Sequence, residues 1–293
     1  MLSICIPVFN EVVVELVDEF HRQMMVLNVP IEIVLIDDAS NKAILAKNQS
    51  IKSKVVNIEL SENIGRSKIR NLFLQYAQHE YLLFLDCDVS VPDSFLSNYI
   101  EWIQEVRGDV VCGGSKSNIQ KPERNYNLRW IYSKAVEESD AKYRHENLIF
   151  ITRNFGIKKA ILKHFPFDES IKGYGHEDTL MGMNLRKNGI QVDQIDNPVI
   201  NTVFDSNAIF LQKTKQGIEN LVKIQEKYKD QFDFNEIKLL RFKSKIDKMG
   251  FSKIFYFINL PFEKLLEKIL IAGYGNLFCF NYYKLLVVNK LKK

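Results

Sequence analysis

The chain has 293 residues, 46% of them hydrophobic and 26% charged, which is enough apolar material for a full core. Its 13 glycines and 7 prolines are too few for a fibrous or disordered chain. The net charge of +4 is unevenly placed, since residues 213–293 hold 17 Lys+Arg against 8 Asp+Glu and the remainder is weakly acidic. This distribution excludes a general nucleic-acid binder and favours a basic tail that meets an anionic surface.

The cysteines and the hydropathy pattern indicate the cellular compartment of the protein. Cys5, Cys87, Cys112 and Cys279 form no Cys-x-x-Cys pair, so zinc and redox motifs are absent and buried free thiols are predicted. Free thiols favour a reducing environment. The first residues run into a predicted strand without the features of a signal peptide, and no uncharged apolar run reaches the roughly 18 residues of a membrane-spanning helix. We therefore expect a cytoplasmic protein.

Strand and helix patterns alternate along much of the chain. Apolar runs bounded by turn residues predict strands at 2–8, 31–36, 55–60, 81–85 and 109–114. Apolar residues at helical spacing predict helices at 12–27, 64–76, 157–164 and 179–187. This alternation indicates an α/β fold with a mostly parallel sheet covered by helices on both faces.

The remaining segments are less regular. Residues 115–151 are polar and aromatic and are predicted to supply loops over a site. After Asn207 the chain is lysine-rich with helical spacing. We predict a main domain at 1–207 and a basic helical C-terminal appendage at 208–293.

Acidic residues stand directly after two of the predicted strands. Asp37 and Asp38 end the second strand, and Asp86 and Asp88 follow the fourth. Open α/β sheets bind ligands at the carboxyl ends of strands, and two carboxylates one residue apart can share a hard divalent cation with substrate phosphates. A second acidic cluster lies at 177–178, while the absence of Gly-x-Gly-x-x-Gly and P-loop motifs disfavours dehydrogenases and P-loop enzymes. The pattern indicates an enzyme that handles a nucleotide diphosphate.

Five ordered motifs carry a family resemblance over roughly residues 2–205. They are 4–11 (ICIPVFNE), 34–40 (VLIDDAS), 63–71 (NIGRSKIRN), 84–88 (FLDCD) and 167–178 (FDESIKGYGHED). Together they resemble the successive signatures of family-two glycosyltransferases. The resemblance implies the A-type glycosyltransferase fold, a mostly parallel Rossmann-like sheet flanked by helices. It also implies a nucleotide-sugar donor, in particular a UDP-sugar, and transfer with inversion to a glycan hydroxyl in cell-surface polysaccharide biosynthesis.

The resemblance also implies roles for individual residues. Those expected to line the nucleotide pocket are Pro7, Phe9, Glu11, Asp38, Asn63, Gly65, Arg70 and Asp86. Asp38 would contact uracil or ribose, and Arg70 would help to hold the base. Asp88 would ligate Mg²⁺ or Mn²⁺ directly, with Asp86 on the ribose or the water shell of the metal.

On the acceptor side, in a segment at about 115–207, the resemblance implies a general base and several sugar contacts. Asp178 would deprotonate the acceptor hydroxyl, and Glu177 would hydrogen-bond the acceptor sugar. Asn154 would place a polar contact under the sugar. Tyr174 and His176 are predicted to contact the sugar as well, but Tyr174 could instead merely pack, and His176 could instead ligate the metal or be solvated.

Some of these residues have plainer explanations that the sequence leaves open. Glu177 and Asp178 open a predicted helix, where the helix dipole favours acids without any catalytic role. Arg70 could cap its helix or pair with a carboxylate. Phe9 could belong to the core.

One position departs from the family pattern. Asn201 follows segment 197–200, where related sequences carry a histidine that completes the metal site. An amide oxygen can bind a hard cation, but it is a weaker ligand than imidazole for softer metals.

Two other functions are left open, a non-catalytic nucleotide- or glycan-binding homologue and a dehalogenase-type phosphatase with Asp86 as nucleophile.

The C-terminal tail carries an amphipathic pattern. Its apolar residues at helical spacing are Phe262, Leu265, Leu266, Ile269 and Leu270, with Lys264 and Lys268 on another face. Such a segment can lie at an anionic interface, which would suit a lipid-linked glycan acceptor and a location on the inner face of the cell membrane. The alternative is that the apolar face packs on the catalytic domain or on another subunit.

Overall fold

The structure is a computed structural model that describes residues 1–106, 108–118, 120–147, 149–250 and 252–292. Lys293, the last residue of the basic tail, lies outside them. The chain forms two compact units, and each is described by itself. The first unit comprises Met1–Asn118, Val136–Ser170 and Glu177–Val203. The second comprises Ile119–Ala135, Ile171–His176 and Phe204–Lys293.

The β-strands found among the described residues all belong to the first unit. In chain order the strands of the described residues are β1 (Leu2–Val8), β2 (Ile31–Asp37), β3 (Val56–Glu59), β4 (Tyr81–Leu85), β5 (Val89–Ser90), β6 (Val110–Cys112), β7 (Ser115–Ser117), β8 (Asn154–Lys158), β9 (Val192–Gln194) and β10 (Val199–Asn201). The main sheet runs in the order β3-β2-β1-β4-β8-β6-β9 within the described residues. Strands β1 to β4 are parallel, as the sequence predicts, and β8 is antiparallel to both of its neighbours.

The helices occur in both units. In chain order those of the described residues are α1 (Val14–Met24), α2 (Lys42–Lys47), α3 (Arg66–Tyr76), α4 (Phe95–Glu105), α5 (Asn127–Tyr132), α6 (Ala141–Glu146), α7 (Lys159–His164), α8 (Glu177–Lys187), α9 (Asn207–Tyr228), α10 (Lys238–Lys248), α11 (Ser252–Ile271) and α12 (Leu277–Leu291). The predicted helices at 12–27, 64–76, 157–164 and 179–187 correspond to α1, α3, α7 and α8. The four starts are displaced by two residues and the end of α1 by three, while the other three ends coincide.

The main sheet is buried on both faces. Along β4, Leu83 and Leu85 belong to one apolar cluster, and Leu82 and Phe84 belong to the other. Successive side chains of a strand point to opposite faces, so a continuous apolar run is what a sheet covered on both sides requires. Phe84 also stacks on Phe155 of the antiparallel β8, with ring centroids 4.9 Å apart. The core therefore fixes the end of β4, where Asp86 begins the acidic motif.

A small second sheet lies beside this motif. Its order within the described residues is β5-β10-β7, and Asn201 of β10 pairs with Val89 of β5. The Thr202 hydroxyl donates to the carbonyl oxygen of Asp88 at 3.1 Å. The sheet therefore places Asn201 next to the Asp88 backbone, although more than a hundred residues separate them in sequence.

The second unit is helical in its described part. The Leu128 amide donates to Oδ1 of Asn207 at 2.9 Å, while Nδ2 of Asn207 donates to the carbonyl oxygens of Arg124 and Ile271 at 2.7 and 3.1 Å. Besides the chain from Phe204 onward, this unit contains two earlier segments, 119–135 and 171–176, that the predicted boundary at 207 leaves in the main domain. These two segments belong to the second unit because their backbone amides and carbonyls form hydrogen bonds with side chains of α9.

Two further expectations can be compared with the structure. The four cysteines are free thiols; the predicted burial holds for Cys5 and Cys112, whereas Cys87 and Cys279 are half-buried. No helix within the described residues is both long and apolar enough to cross a membrane.

Candidate active site

The end of β2 is tied to the start of α3 through Asp38. Its Oδ1 accepts the Ile64 amide hydrogen at 2.7 Å, and its Oδ2 accepts that of Gly65 at 3.1 Å. Burial raises the pKa of Asp38, and the two hydrogen bonds from the backbone amides oppose the rise. Nδ2 of Asn63 donates to the Asp38 carbonyl oxygen at 3.2 Å. Hydrogen bonds thus tie Asp38 to the backbone at Ile64 and Gly65 and to the side chain of Asn63; their expected contact with a nucleotide remains a prediction.

Gly65 has a conformational reason to be glycine. Its φ of +84° lies in the left-handed region, and a Cβ atom there would meet nothing within 4 Å. The position therefore needs glycine for its backbone angle rather than for lack of space.

Phe9 follows β1 and is not a core residue. Its side chain is 50% exposed, which rules out the core alternative. The loop that carries Phe9 is anchored at the next residue, Asn10. The Asn10 amide donates to Ser40 Oγ at 2.7 Å, and Asn10 Oδ1 accepts the Asn41 amide hydrogen at 2.9 Å. Pro7 and Glu11 on either side are half-buried. A half-exposed ring on an anchored loop can stack on a flat ligand group.

Arg70 of α3 lies buried between two carboxylates. It is 2% exposed, with Nη2 at 3.3 Å from Asp86 Oδ1 and Nη1 at 3.5 Å from Glu177 Oε1. Arg66, one turn earlier, has Nη1 at 3.7 Å from the same Glu177 oxygen. The carboxylate-pairing alternative thus describes Arg70 in this structure. Arg70 joins the acids at the end of β4 to those at the start of α8.

Arg153 is a site residue that the sequence does not reveal. Its Nε lies 3.6 Å from Asp86 Oδ2, and its Nη1 lies 3.3 Å from Glu137 Oε2. It comes there because β8 pairs antiparallel with β4, so that the Asp86 amide donates to the Arg153 carbonyl oxygen at 3.1 Å. A polar, glycine-containing strand such as 154–158 carries too weak a periodicity to be predicted.

Asp86 and Asp88 differ in their surroundings. Although burial opposes it, Arg66, Arg70 and Arg153 hold the pKa of Asp86 below its usual value. Burial raises the pKa of Asp88, and the nearby Asp86 charge adds to the rise. Within the described residues the Asp88 carboxylate has no ion pair. A bound cation would therefore stabilise the Asp88 carboxylate more than that of Asp86.

These residues fit a divalent cation that is shared with a substrate. The described residues hold no cluster of three or more His, Cys, Asp or Glu that would enclose a metal by itself. Asp88, Asp86 and the Asn201 amide offer hard oxygen ligands, which suit Mg²⁺ or Mn²⁺ completed by phosphate oxygens and water. Nδ2 of Asn201 is buried without a hydrogen-bond partner among the described residues. An acceptor beside β10, such as a phosphate oxygen, could take a hydrogen bond from this donor, whereas only the amide oxygen of Asn201 could ligate a cation.

Asn154 has different surroundings from those predicted. It is fully buried, its Oδ1 accepts the Tyr99 hydroxyl hydrogen at 2.6 Å, and its Nδ2 donates to the carbonyl oxygens of Gly114 and Asn197, each at 2.9 Å. With its amide hydrogens and its oxygen bonded to protein, this side chain fastens β8 to neighbouring loops. The geometry therefore does not favour the predicted contact with a sugar.

Glu177 and Asp178 open α8. Glu177 is buried and paired with Arg70 and Arg66, so its orientation is set by protein contacts. Asp178 is half-buried, and its Oδ1 accepts the Thr179 amide hydrogen at 2.6 Å. Burial, followed by the charge of Glu177, raises the pKa of Asp178 to about 6. A carboxylate with this pKa is suited to take a proton near neutral pH.

Tyr174 and His176 belong to the second unit. Both are half-buried, and His176 has a φ of +69°, which is uncommon for a residue other than glycine. The Tyr174 amide donates to Oε1 of Gln216 on α9 at 3.1 Å, and Nζ of Lys213 lies 5.7 Å from the centroid of the Tyr174 ring. Their expected contact with a sugar remains a prediction.

Comparison with known proteins identifies the family. Residues 3–165 match the model of Glycosyl transferase family 2. The chain belongs to this family. The family predicted from the motifs is confirmed, and the phosphatase alternative with Asp86 as nucleophile is wrong.

One curated relative and two solved structures give the family member its context. The poly(ribitol-phosphate) beta-glucosyltransferase of Bacillus spizizenii is 29% identical over 121 residues, which are 39% of this chain and 19% of the relative. The chain therefore spans about a fifth of that relative's length.

The solved structures establish the fold. S. aureus TarS 1-349 in complex with UDP is 17% identical with a TM-score of 0.51, covering 100% of this chain and 92% of that one. A mannosyltransferase from Pyrobaculum calidifontis in complex with GDP-Man and Mn²⁺ is 15% identical with a TM-score of 0.59, covering 99% and 86%. These likenesses confirm the predicted A-type fold.

Proposed function

We propose that this family member transfers a sugar from a nucleotide-diphosphate donor, a UDP-sugar, to a glycan hydroxyl with inversion. The observation that carries the proposal is the bridge made by Arg70. It joins Asp86, beside the proposed cation ligand Asp88, to Glu177, beside the proposed base Asp178. Donor chemistry and acceptor chemistry would thus be fixed by one network of charges. The UDP in one structural neighbour supports the choice of nucleotide.

On the donor side, the exposed Phe9 ring would stack on the base, with Asp38 and the backbone at Asn63 and Gly65 forming the adjacent wall. Asp88, with Asp86 beside it, would hold Mg²⁺ or Mn²⁺ together with diphosphate oxygens. The bound cation supplies positive charge for the departing diphosphate. The Mn²⁺ in the mannosyltransferase neighbour supports this choice of cofactor.

On the acceptor side, Asp178 would accept the proton of the attacking hydroxyl. The new bond from the acceptor oxygen to the anomeric carbon forms as the bond from that carbon to the diphosphate oxygen breaks, which inverts the centre. Arg70 and Arg66 hold Glu177 in place to orient the acceptor, and Tyr174 and His176 would add sugar contacts.

The acceptor class is proposed from the curated relative. Its name describes transfer of glucose to poly(ribitol phosphate). We therefore propose a cell-surface or lipid-linked glycan acceptor. A panel for this protein should include polyol-phosphate polymers beside lipid-linked saccharides.

Titration calorimetry with nucleoside diphosphates tests the proposal directly. We expect UDP to bind in the presence of Mg²⁺ or Mn²⁺ and to lose most of its affinity when a chelator is added. Turnover of a UDP-sugar panel with the acceptors above should follow. If no nucleoside diphosphate binds under any metal condition, the proposed transferase function is wrong. Binding without turnover would favour the non-catalytic homologue.

We further propose that α11 meets an anionic membrane surface. Of the five predicted apolar residues, Leu270 is buried while Phe262 and Leu265 are 51% and 53% exposed. Ile258 lies on the same helix face and is 62% exposed. Lys264 and Lys268 beside this face are exposed. Exposed apolar residues flanked by lysines match the chemistry of an anionic interface.

Vesicle flotation measures this binding. We expect the wild type to float with anionic vesicles at low salt, and the double variant Phe262→Glu/Leu265→Glu to lose most of that binding because carboxylates replace apolar contacts. Phe242→Glu, at an exposed phenylalanine of α10, is the matched control. Equal flotation of the double variant and the control would leave α11 as a structural helix.

A further inference from the structure

The loop that precedes the acids of α8 is held by the second unit. Residues 171–176 belong to this unit and run directly into α8 in the sequence. Asn220 of α9 donates from Nδ2 to the carbonyl oxygens of Lys172 and Tyr174, at 3.0 and 3.1 Å. Asn220 is buried, so these bonds are largely shielded from water and both of its amide hydrogens are committed to the loop.

A second side chain of α9 holds the same loop. One helical turn before Asn220, the Oε1 atom of Gln216 accepts the Tyr174 amide hydrogen at 3.1 Å. Gly175 has a φ of +98°, and a Cβ atom there would lie 3.0 Å from the Cα of Gly217. The loop thus lies directly on the backbone of α9. Side-chain bonds and close backbone approach fix its conformation together.

We propose that α9 is an acceptor-positioning element of the enzyme. Gln216 and Asn220 would set the conformation of loop 171–176, and therefore the place at which Tyr174 and His176 meet the acceptor. This inference rests on the proposed function, because acceptor binding by that loop is part of it. It extends that function, since the family match ends at residue 165 and α9 lies beyond it. The loop that carries the proposed sugar contacts then depends on α9 of its own unit for its conformation.

Two substitutions on α9 isolate this role. Gln216→Ala removes the acceptor of the Tyr174 amide at an exposed position, and Asn220→Asp keeps the size of the side chain while removing both donors. We expect kcat/KM for the acceptor to fall about tenfold for Gln216→Ala, roughly the worth of one hydrogen bond, and further for Asn220→Asp. The Kd for UDP with metal should stay within about twofold, because the donor residues named above lie elsewhere in the chain.

Gln212→Ala is the matched control, since Gln212 is an exposed glutamine of α9 one turn before Gln216. Its kinetics should equal those of the wild type. Hydrogen exchange adds a measurement that does not depend on activity. The Tyr174 amide should exchange faster than in the wild type in Gln216→Ala and at the wild-type rate in Gln212→Ala. Thermal melting shows whether each variant is folded.

The outcomes separate the two proposals. If the wild type binds UDP and turns over a donor but Gln216→Ala behaves like Gln212→Ala in acceptor kinetics and Tyr174 exchange, the inference about α9 alone is overturned. If the wild type binds no nucleoside diphosphate, the proposed function fails and the inference fails with it. A selective loss on the acceptor side, with donor affinity retained, establishes α9 as a positioning element.

Discussion

Replacement of Asp178 by asparagine is expected to lower turnover by about 10²–10⁴-fold, the usual contribution of a positioned general base. Asparagine keeps the oxygen that accepts the Thr179 amide hydrogen but cannot take a proton from the acceptor. UDP affinity should barely change, since the base serves the acceptor. Steady-state kinetics together with calorimetry measure both quantities. Asp230→Asn, at an exposed aspartate, is the control.

The pH dependence gives this prediction a signature. The pKa of Asp178 is raised to about 6, so kcat/KM should rise with pH up to about pH 6 and then level, and this limb should disappear in Asp178→Asn. Because the folded protein holds the proton more tightly than an unfolded chain, ionisation of Asp178 lowers stability as pH rises from about 4 through 6. The melting temperature of Asp178→Asn at pH 7.5 should therefore not fall. Near-normal turnover in the variant would move the base role to Glu177.

Removal of the Asp88 carboxylate is expected to abolish metal-dependent UDP binding. In Asp88→Ala the diphosphate loses the ligand that would anchor its counter-ion, while Asp86 stays committed to Arg70 and Arg153. We expect the Kd for UDP to rise at least about tenfold with metal, and to match the value that the wild type shows in chelator. Calorimetry with and without Mn²⁺ makes the comparison.

Asp93→Ala is the matched control for Asp88→Ala, because the Asp93 side chain is 93% exposed and its pairing with Arg22 is at the surface. Folding of Asp88→Ala should be intact, since the substitution removes a repulsion from Asp86. Should chelator leave the wild-type affinity unchanged, the site works without metal, and Asn201 at the position of the family's histidine would be the reason.

Local pattern predicted the elements that hold the nucleotide side. The apolar runs at 2–8 and 81–85 correspond to β1 and β4 residue for residue, because a strand buried on both faces is a continuous apolar run. The antiparallel β8 was not predicted. Its five residues include an asparagine, a glycine and a lysine, and its pairing with β4 depends on contacts distant in the chain.

The same difference separates the site residues that could be predicted from those that could not. Asp38, Asp86 and Asp88 follow strands within short motifs, so their place at the sheet edge is local information. Arg153 lies beside Asp86 only because β8 pairs with β4. Glu137 is connected to Asp86 only through its ion pair with Arg153. Long-range pairing of this kind leaves no short-range pattern in one sequence.

The sequence by itself determined the family, the parallel α/β sheet and the acids at its strand ends, because ordered motifs and apolar periodicity are properties of short segments. Only the tertiary structure decided how those groups are used. It placed Arg70 between Asp86 and Glu177, left Phe9 exposed, enclosed Asn154 among protein partners and assigned loop 171–176 to α9. Burial and ion pairing depend on which distant segments meet, and that is settled only when the core packs.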